Sequence, residues 1–338
     1  MSFKPAEVFE SYCCTTSLAK TKMTPTKLLL LGILAGVFIG FGAIFATTAM
    51  TGVTVLGLQK AIGGLVFCVG LILVVVAGAE LFTGNVLLLI PLMEKKIDSS
   101  GFLKNWIIVY FANFIGSLLL AWIFLGTDLW RAGTGLTPIG EQAMSIANAK
   151  SGLTWGQAFF RGMLCNILVD LAVIMAMAAK STAGKIMAII FPISAFVASG
   201  FEHSIANMYF IPAGLFIKGA AAADAVAKFS NLNWGNFLFN NLIPVTLGNI
   251  IGPLLFLCIP YYYVYRKKSA QAVTRFENKK PLWLLSRSAG EGQGGFFQSE
   301  APAERGSPSP RDACSPNAVD AIRKVRGSWT LKGRAEYR

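Results

Sequence analysis

Gly78-Ala79-Glu80-Leu81-Phe82-Thr83-Gly84-Asn85 and Gly200-Phe201-Glu202-His203-Ser204-Ile205-Ala206-Asn207 share one pattern: a glycine, a glutamate two positions on, and an asparagine five after that. Each octet lies within an apolar run of more than thirty residues, at about 61–93 and 186–217. A spanning helix needs about 20 residues, and one of more than thirty would reach about 48 Å, well past a hydrocarbon core of about 30 Å. Both runs must therefore be interrupted, and the octets supply the means. Glycine relaxes the backbone, while a carboxylate, a hydroxyl and a carboxamide can satisfy the amides and carbonyls that a broken helix frees.

The rest of the chain is equally apolar. Of 338 residues, 54% are hydrophobic and 14% charged, with a mean hydropathy of +0.57; soluble chains carry about 25% charged residues. Four further runs, about 28–50, 103–126, 155–179 and 237–265, are long enough to cross a bilayer. The predicted fold is an all-α membrane protein of six transmembrane helices, with the second and fifth interrupted. Up to residue 268, and setting aside Arg161 within the fourth run, the Lys and Arg residues divide twelve against five, the five being Lys60, Arg131, Lys150, Lys218 and Lys228. That bias predicts a multi-pass protein of the cytoplasmic membrane with both termini in the cytoplasm. Residues 1–26 form a polar N-terminal segment without a cleavable signal, and Pro5 to Lys20 carries a modest helical pattern suited to the membrane surface. The six-helix region covers 27–268; residues 269–338 turn to Ser, Pro, Gly, Arg and Glu and read as a disordered cytoplasmic tail.

Several classes of function are excluded at this level. The net charge of +13 flanks neutral spans, which is membrane topology and not a nucleic-acid footprint. Six cysteines without CxxC spacing predict neither a disulfide framework nor a zinc site, and a single histidine removes most metal and histidine-based catalytic arrangements. HExxH is absent, as is GxSxG with a histidine partner. The chain is expected to be no enzyme, with no catalytic or metal-binding residue and no cofactor.

The two octets belong to a longer echo. Gly32-Ile-Leu-Ala-Gly36 in the first span parallels Gly162-Met-Leu-Cys-Asn166 in the fourth, and Asn113-Phe-Ile-Gly116 in the third parallels Asn249-Ile-Ile-Gly252 in the sixth. Three spans per half is an odd number, so the second half enters from the opposite side. This predicts a 3+3 inverted repeat, with paired interruptions marking a transport site near the midplane.

His203 is the central candidate, because an ionisable residue at membrane depth is expensive and its imidazole can exchange a proton near neutral pH. Glu80 and Glu202 occupy equivalent places and would repel an anion, so a structural role is expected, accepting backbone amides of the interrupted segments alongside Asn85 and Asn207. The Thr83 hydroxyl can serve a substrate, His203 or its own helix. Lys150 is either a vestibule charge that concentrates anions or a solvated loop lysine. Asn113, Asn166 and Asn249 suit helix-to-helix bonding, and Asp170 has no evident partner. Phe67, Leu71, Leu81, Phe82, Phe196 and Phe201 either pinch a pathway by dewetting or simply pack.

The stretches Ala79-Glu-Leu-Phe-Thr-Gly-Asn85, Ala198-Ser-Gly-Phe-Glu-His-Ser-Ile-Ala-Asn-Met208 and Asn241-Leu-Ile-Pro-Val-Thr-Leu-Gly-Asn249 resemble the formate/nitrite transporter family over residues 5 to 268. The resemblance implies a homopentamer of aquaporin-like protomers, each with its own pore. It implies that His203, Thr83, Lys150 and Asn249 line the substrate pathway and that Phe67, Leu71, Leu81 and Phe196 form its constrictions. The polar tail and Asp170 depart from the family's pattern. The expected function is passive or proton-coupled transport of small monovalent weak-acid anions, formate first, with nitrite or hydrosulfide as the alternative. Expected partners are the anion, protons, the lipid bilayer and further copies of the chain. Two accounts of His203 stay open: it hands a proton to the anion, or it only hydrogen-bonds it. An aquaporin-type pore would call for paired Asn-Pro-Ala motifs, which the sequence lacks.

Overall fold

The structure is a computed structural model that describes residues 3–265; the predicted tail at 269–338 lies outside the described residues. The chain opens with α1 (Pro5–Ser11) and α2 (Ser17–Lys22), joined by a π-helical turn at Tyr12–Thr16. Three long helices follow as α3 (Pro25–Met50), α4 (Leu56–Ala77) and, after the short α5 (Leu89–Met93), α6 (Ser99–Gly126). A two-stranded hairpin, Arg131–Ala132 with Gly135–Leu136, leads into α7 (Pro138–Ser151). Then come α8 (Trp155–Ala178), α9 (Thr182–Ala198), α10 (Ser204–Ala220), the short α11 (Ala223–Val226) and α12 (Ile243–Pro253).

Helix starts follow local chemistry. Thr24, Asp98, Thr137, Thr154 and Ser181 each cap the helix that follows by accepting a first-turn amide with the side-chain oxygen. Pro25 and Pro138 then occupy first-turn positions that need no donor. The two breaks also have a local cause. Gly78 ends α4 at φ +83° and Gly200 follows α9 at φ +74°, a left-handed backbone that a side chain would strain. After Gly78 the chain resumes as a 3₁₀ turn, Gly84–Leu88, and α5; after Gly200 it resumes as α10.

Five helical stretches are long and apolar enough to cross a membrane: α3, α4, α6, α8 and the run Asn236–Tyr265 that contains α12. The fifth span at 186–217, expected to be interrupted, is divided into α9 and α10, each of 17 residues and too short alone. The last span carries π-helical turns at Asn236–Leu242 and Leu254–Cys258 that no sequence signal announced. The second adjoins Pro253, which has no N–H to give the helical ladder.

Close approach at glycine holds the bundle together. A Cβ on Gly36 would lie 2.1 Å from the Asn113 carbonyl oxygen, and one on Gly116 would lie 2.0 Å from that of Ile33, so α3 and α6 touch backbone to backbone. The contact recurs between α8 and α12, where Gly248 faces the Phe159 carbonyl at 2.2 Å and Gly252 that of Met163 at 2.3 Å. Lipid gives helices little hydrophobic reason to associate, so packing of this kind supplies the attraction. The N-terminal helices are docked on the bundle: Phe9, Tyr12 and Cys13 are buried in a cluster with Leu88, Phe102 and Cys258.

Candidate functional site

The two breaks meet at a side-chain pair. Thr83 Oγ1 and His203 Nε2 lie 2.8 Å apart, and both residues are buried. His203 is also the N-cap of α10, where its Nδ1 accepts the Ala206 amide at 3.1 Å. A nitrogen that accepts an amide proton carries none of its own, so the network assigns a proton to Nε2. Nε2–H then donates to Thr83 Oγ1, and the hydroxyl proton of Thr83 is left to be offered to a third group. The carbonyl of Thr83 is fixed from behind by Asn166 Nδ2 at 3.1 Å.

Around this pair the breaks are braced alike. In the first, Glu80 Oε1 accepts from Lys20 Nζ at 2.7 Å and Oε2 accepts from Asn85 Nδ2 at 2.9 Å. Asn85 Nδ2 also donates to Asn105 Oδ1 at 2.8 Å, and Asn105 Nδ2 to the Lys20 carbonyl at 3.4 Å. In the second, Glu202 accepts from Lys150 Nζ at 3.0 Å and from Asn207 Nδ2 at 2.6 Å. Asn207 Nδ2 reaches Asn241 Oδ1 at 2.7 Å, and Asn241 Nδ2 the Lys150 carbonyl at 3.0 Å. The glutamates thus take side-chain donors, not the backbone amides expected from the sequence.

Two other asparagines serve the backbone. Asn113 Oδ1 accepts the Phe82 amide at 2.9 Å while its Nδ2 donates to the carbonyls of Gly32 and Glu80 at 2.8 and 2.9 Å. Asn249 Oδ1 accepts the Ser204 amide at 2.8 Å while its Nδ2 donates to the carbonyls of Gly162 and Glu202 at 2.8 and 2.9 Å. Both amide atoms of Asn249, expected on the pathway, are therefore bonded to backbone.

A cavity of about 280 Å³ opens over the second break, and its walls include Lys60, Phe67, Lys150, Arg161, Phe196, Glu202 and His203. Phe67 and Phe196 meet edge to face at 5.8 Å, and the Phe196 ring centre is 6.0 Å from that of His203. Lys150 Nζ also sits 5.4 Å from the Phe210 ring centre. Leu71 and Leu81 are buried and do not line this cavity. Among the described residues no group of three or more His, Cys, Asp or Glu could hold a metal.

Lys20, Asn105, Asn241 and Arg161 had no assigned role in the sequence reading, although three of them carried a signal. Lys20 precedes Gly32 by twelve residues as Lys150 precedes Gly162, and Asn105 precedes Asn113 by eight as Asn241 precedes Asn249. Asp170 on α8 is fully buried, and neither of its carboxylate oxygens has a hydrogen-bond partner among the described residues. The hydroxyl of Tyr12 is likewise unbonded; burial, and then the charge of Asp170, push it above the ordinary phenol range.

Comparison with known proteins gives one consistent result. The family described as "Formate/nitrite transporter" matches residues 6–263. A "Probable formate transporter" of Methanothermobacter thermautotrophicus is 41% identical over 285 residues, covering 79% of this chain and 99% of that protein. "Formate channel FocA" of Escherichia coli (strain K12) is 38% identical over 262 residues, covering 74% of this chain and 90% of that one. A solved structure described as "Pentameric formate channel with formate bound" superposes with a TM-score of 0.65 at 40% identity, covering 71% of this chain and 97% of the other.

Proposed function

The chain belongs to the formate/nitrite transporter family, and from that premise we propose that this multi-pass membrane protein carries formate through a pathway passing the Thr83–His203 pair. The observation that carries the reading is the 2.8 Å contact between two donors held by opposite breaks, beside a cavity lined by cations and by Phe67 and Phe196. A small anion enters the cavity, is stripped of water between the aromatic rings and meets the Thr83 hydroxyl, which His203 Nε2–H orients. Leu71 and Leu81 complete the apolar constrictions, which make the bare anion expensive to pass. Lys150 and Asn249 shape the pathway through the second break, Lys150 by pairing with Glu202 and Asn249 by holding the Ser204 amide and the Glu202 carbonyl.

The tautomer bears on proton coupling. A second proton on the ring must go to Nδ1, and that breaks the bond to the Ala206 amide that caps α10. The geometry therefore favours hydrogen-bond donation by Thr83 and His203, with any proton that travels with the anion taken from water. The matched bracing of the two breaks supports a 3+3 inverted repeat. Apolar side chains exposed on the described protomer, among them Leu30, Phe45, Trp122, Phe160 and Phe191, suit contact with lipid and with further copies in a homopentamer. The charge bias supports cytoplasmic termini in the cytoplasmic membrane, with 27–268 as the transport unit.

Stopped-flow uptake by reconstituted protein, with formate, nitrite, hydrosulfide and lactate side by side, tests the reading. Formate should cross fastest, with nitrite and hydrosulfide within about an order of magnitude, since hydration and size differ little among them. Lactate should lag. Uptake of nitrite or hydrosulfide without formate would assign a different substrate.

A further inference from the structure

The charges of the cavity are unequal in what they can do for an anion. Lys60, Lys150 and Arg161 all line it, and Glu202 is the acid among its lining residues. Glu202 faces Lys150 with both carboxylate oxygens, at 3.0 and 3.1 Å, so the field of Lys150 is largely cancelled within a few ångström. Lys60 and Arg161 are solvent-exposed, and neither forms an ion pair among the described residues. The uncancelled positive charge of this mouth therefore belongs to them.

The first break gives an internal comparison. The Glu80 amide donates to the Leu31 carbonyl at 3.2 Å, and the Glu202 amide donates to the Arg161 carbonyl at 3.2 Å, so Leu31 and Arg161 hold the same place in the two breaks. Lys20 pairs with Glu80 as Lys150 pairs with Glu202. Each break thus holds a neutralised lysine–glutamate pair, and the second adds a cation where the first has a leucine.

We propose that Arg161, aided by Lys60, is the anion-recruiting residue of the mouth beside the second break, and that Lys150 is a bracing residue held by Glu202. This rests on the formate-transport reading and adds an asymmetry to it: the recruiting charge at the Arg161 place of the second break has no counterpart at the Leu31 place of the first. A cavity of about 280 Å³ is about 8 Å across if round, so an anion in it stays near the guanidinium. At about 7 Å in water two unit charges attract enough to change occupancy about threefold, and up to about tenfold where the walls lower the dielectric. Salt screens such an effect, with a Debye length of about 10 Å at 0.1 M.

The experiment is formate flux in proteoliposomes of known protein orientation, with the half-saturating concentration measured from each face at low and at high concentrations of an inert salt. Arg161→Gln should raise that concentration about three- to tenfold at the Arg161 mouth in low salt. It should leave the opposite face unchanged, and converge on the wild type in high salt. Arg161→Lys should restore the wild-type value, because charge and not guanidinium geometry is at issue. Equal half-saturation for wild type and Arg161→Gln in low salt overturns the inference. So does a difference that survives high salt or appears equally at both faces, or a failure of Arg161→Lys to restore. A wild type that carries no formate overturns the transport reading beneath it, a result distinct from any of these.

Discussion

The ring of His203 has its nitrogens committed to different partners, Nδ1 to the helix it caps and Nε2 to the threonine of the other break. That arrangement was half legible in the sequence. The histidine stood out as the single one in the chain and Thr83 lay in the matching octet, but which nitrogen carries the proton depends on a cap that only backbone geometry defines. Asp170 is the opposite case, a buried carboxyl with no partner among the described residues and no place in the proposed pathway. A buried polar group without a bond is a liability to stability, so replacing it by an apolar side chain of similar size should help. Asp170→Val is expected to raise the thermal midpoint in detergent by a few degrees and to leave formate flux at the wild-type level. A fall in flux with unchanged stability would instead give the carboxylate a part in transport.

At the scale of elements, run length was the informative quantity. Two runs too long to be straight helices predicted two breaks, and the left-handed glycines Gly78 and Gly200 are where the chain yields. The lysine partners of Glu80 and Glu202 could not be assigned from the octets, because Lys20 lies 60 residues from Glu80 and Lys150 lies 52 from Glu202, and only packing brings them together. The π-helical turns of the last span and the docking of α1 on the bundle escaped for the same reason: neither leaves a local period. Helix contact through glycine makes a sharp prediction. A Cβ at Gly116 would sit 2.0 Å from a carbonyl oxygen that the α3 backbone cannot withdraw, whereas Gly156, on α8, has nothing within 4 Å. Gly116→Ala should lower the thermal midpoint strongly, on the order of 2–3 kcal/mol of overpacking strain, and Gly156→Ala should leave it nearly unchanged. Equal midpoints for the two variants would mean that α3 and α6 are not in backbone contact.

For the whole molecule, the site exists only because both halves are present. Thr83 comes from the first break and His203 from the second, so neither half alone can place two donors 2.8 Å apart. The bracing around them is nearly the same in each half, and the two breaks differ at one matched place, where Arg161 of the second stands for Leu31 of the first. The most direct test of the central claim is the rate of formate uptake by proteoliposomes containing Thr83→Val, compared with wild type at equal protein content and with the oligomer shown intact. Valine keeps the shape and removes the hydroxyl that we propose meets the anion. Loss of one hydrogen bond to a charged group in a dry site is worth about 1.5–3 kcal/mol, so uptake should fall at least about tenfold. Uptake at the wild-type rate would contradict the account, because formate would then be crossing without the pair on which the pathway is built.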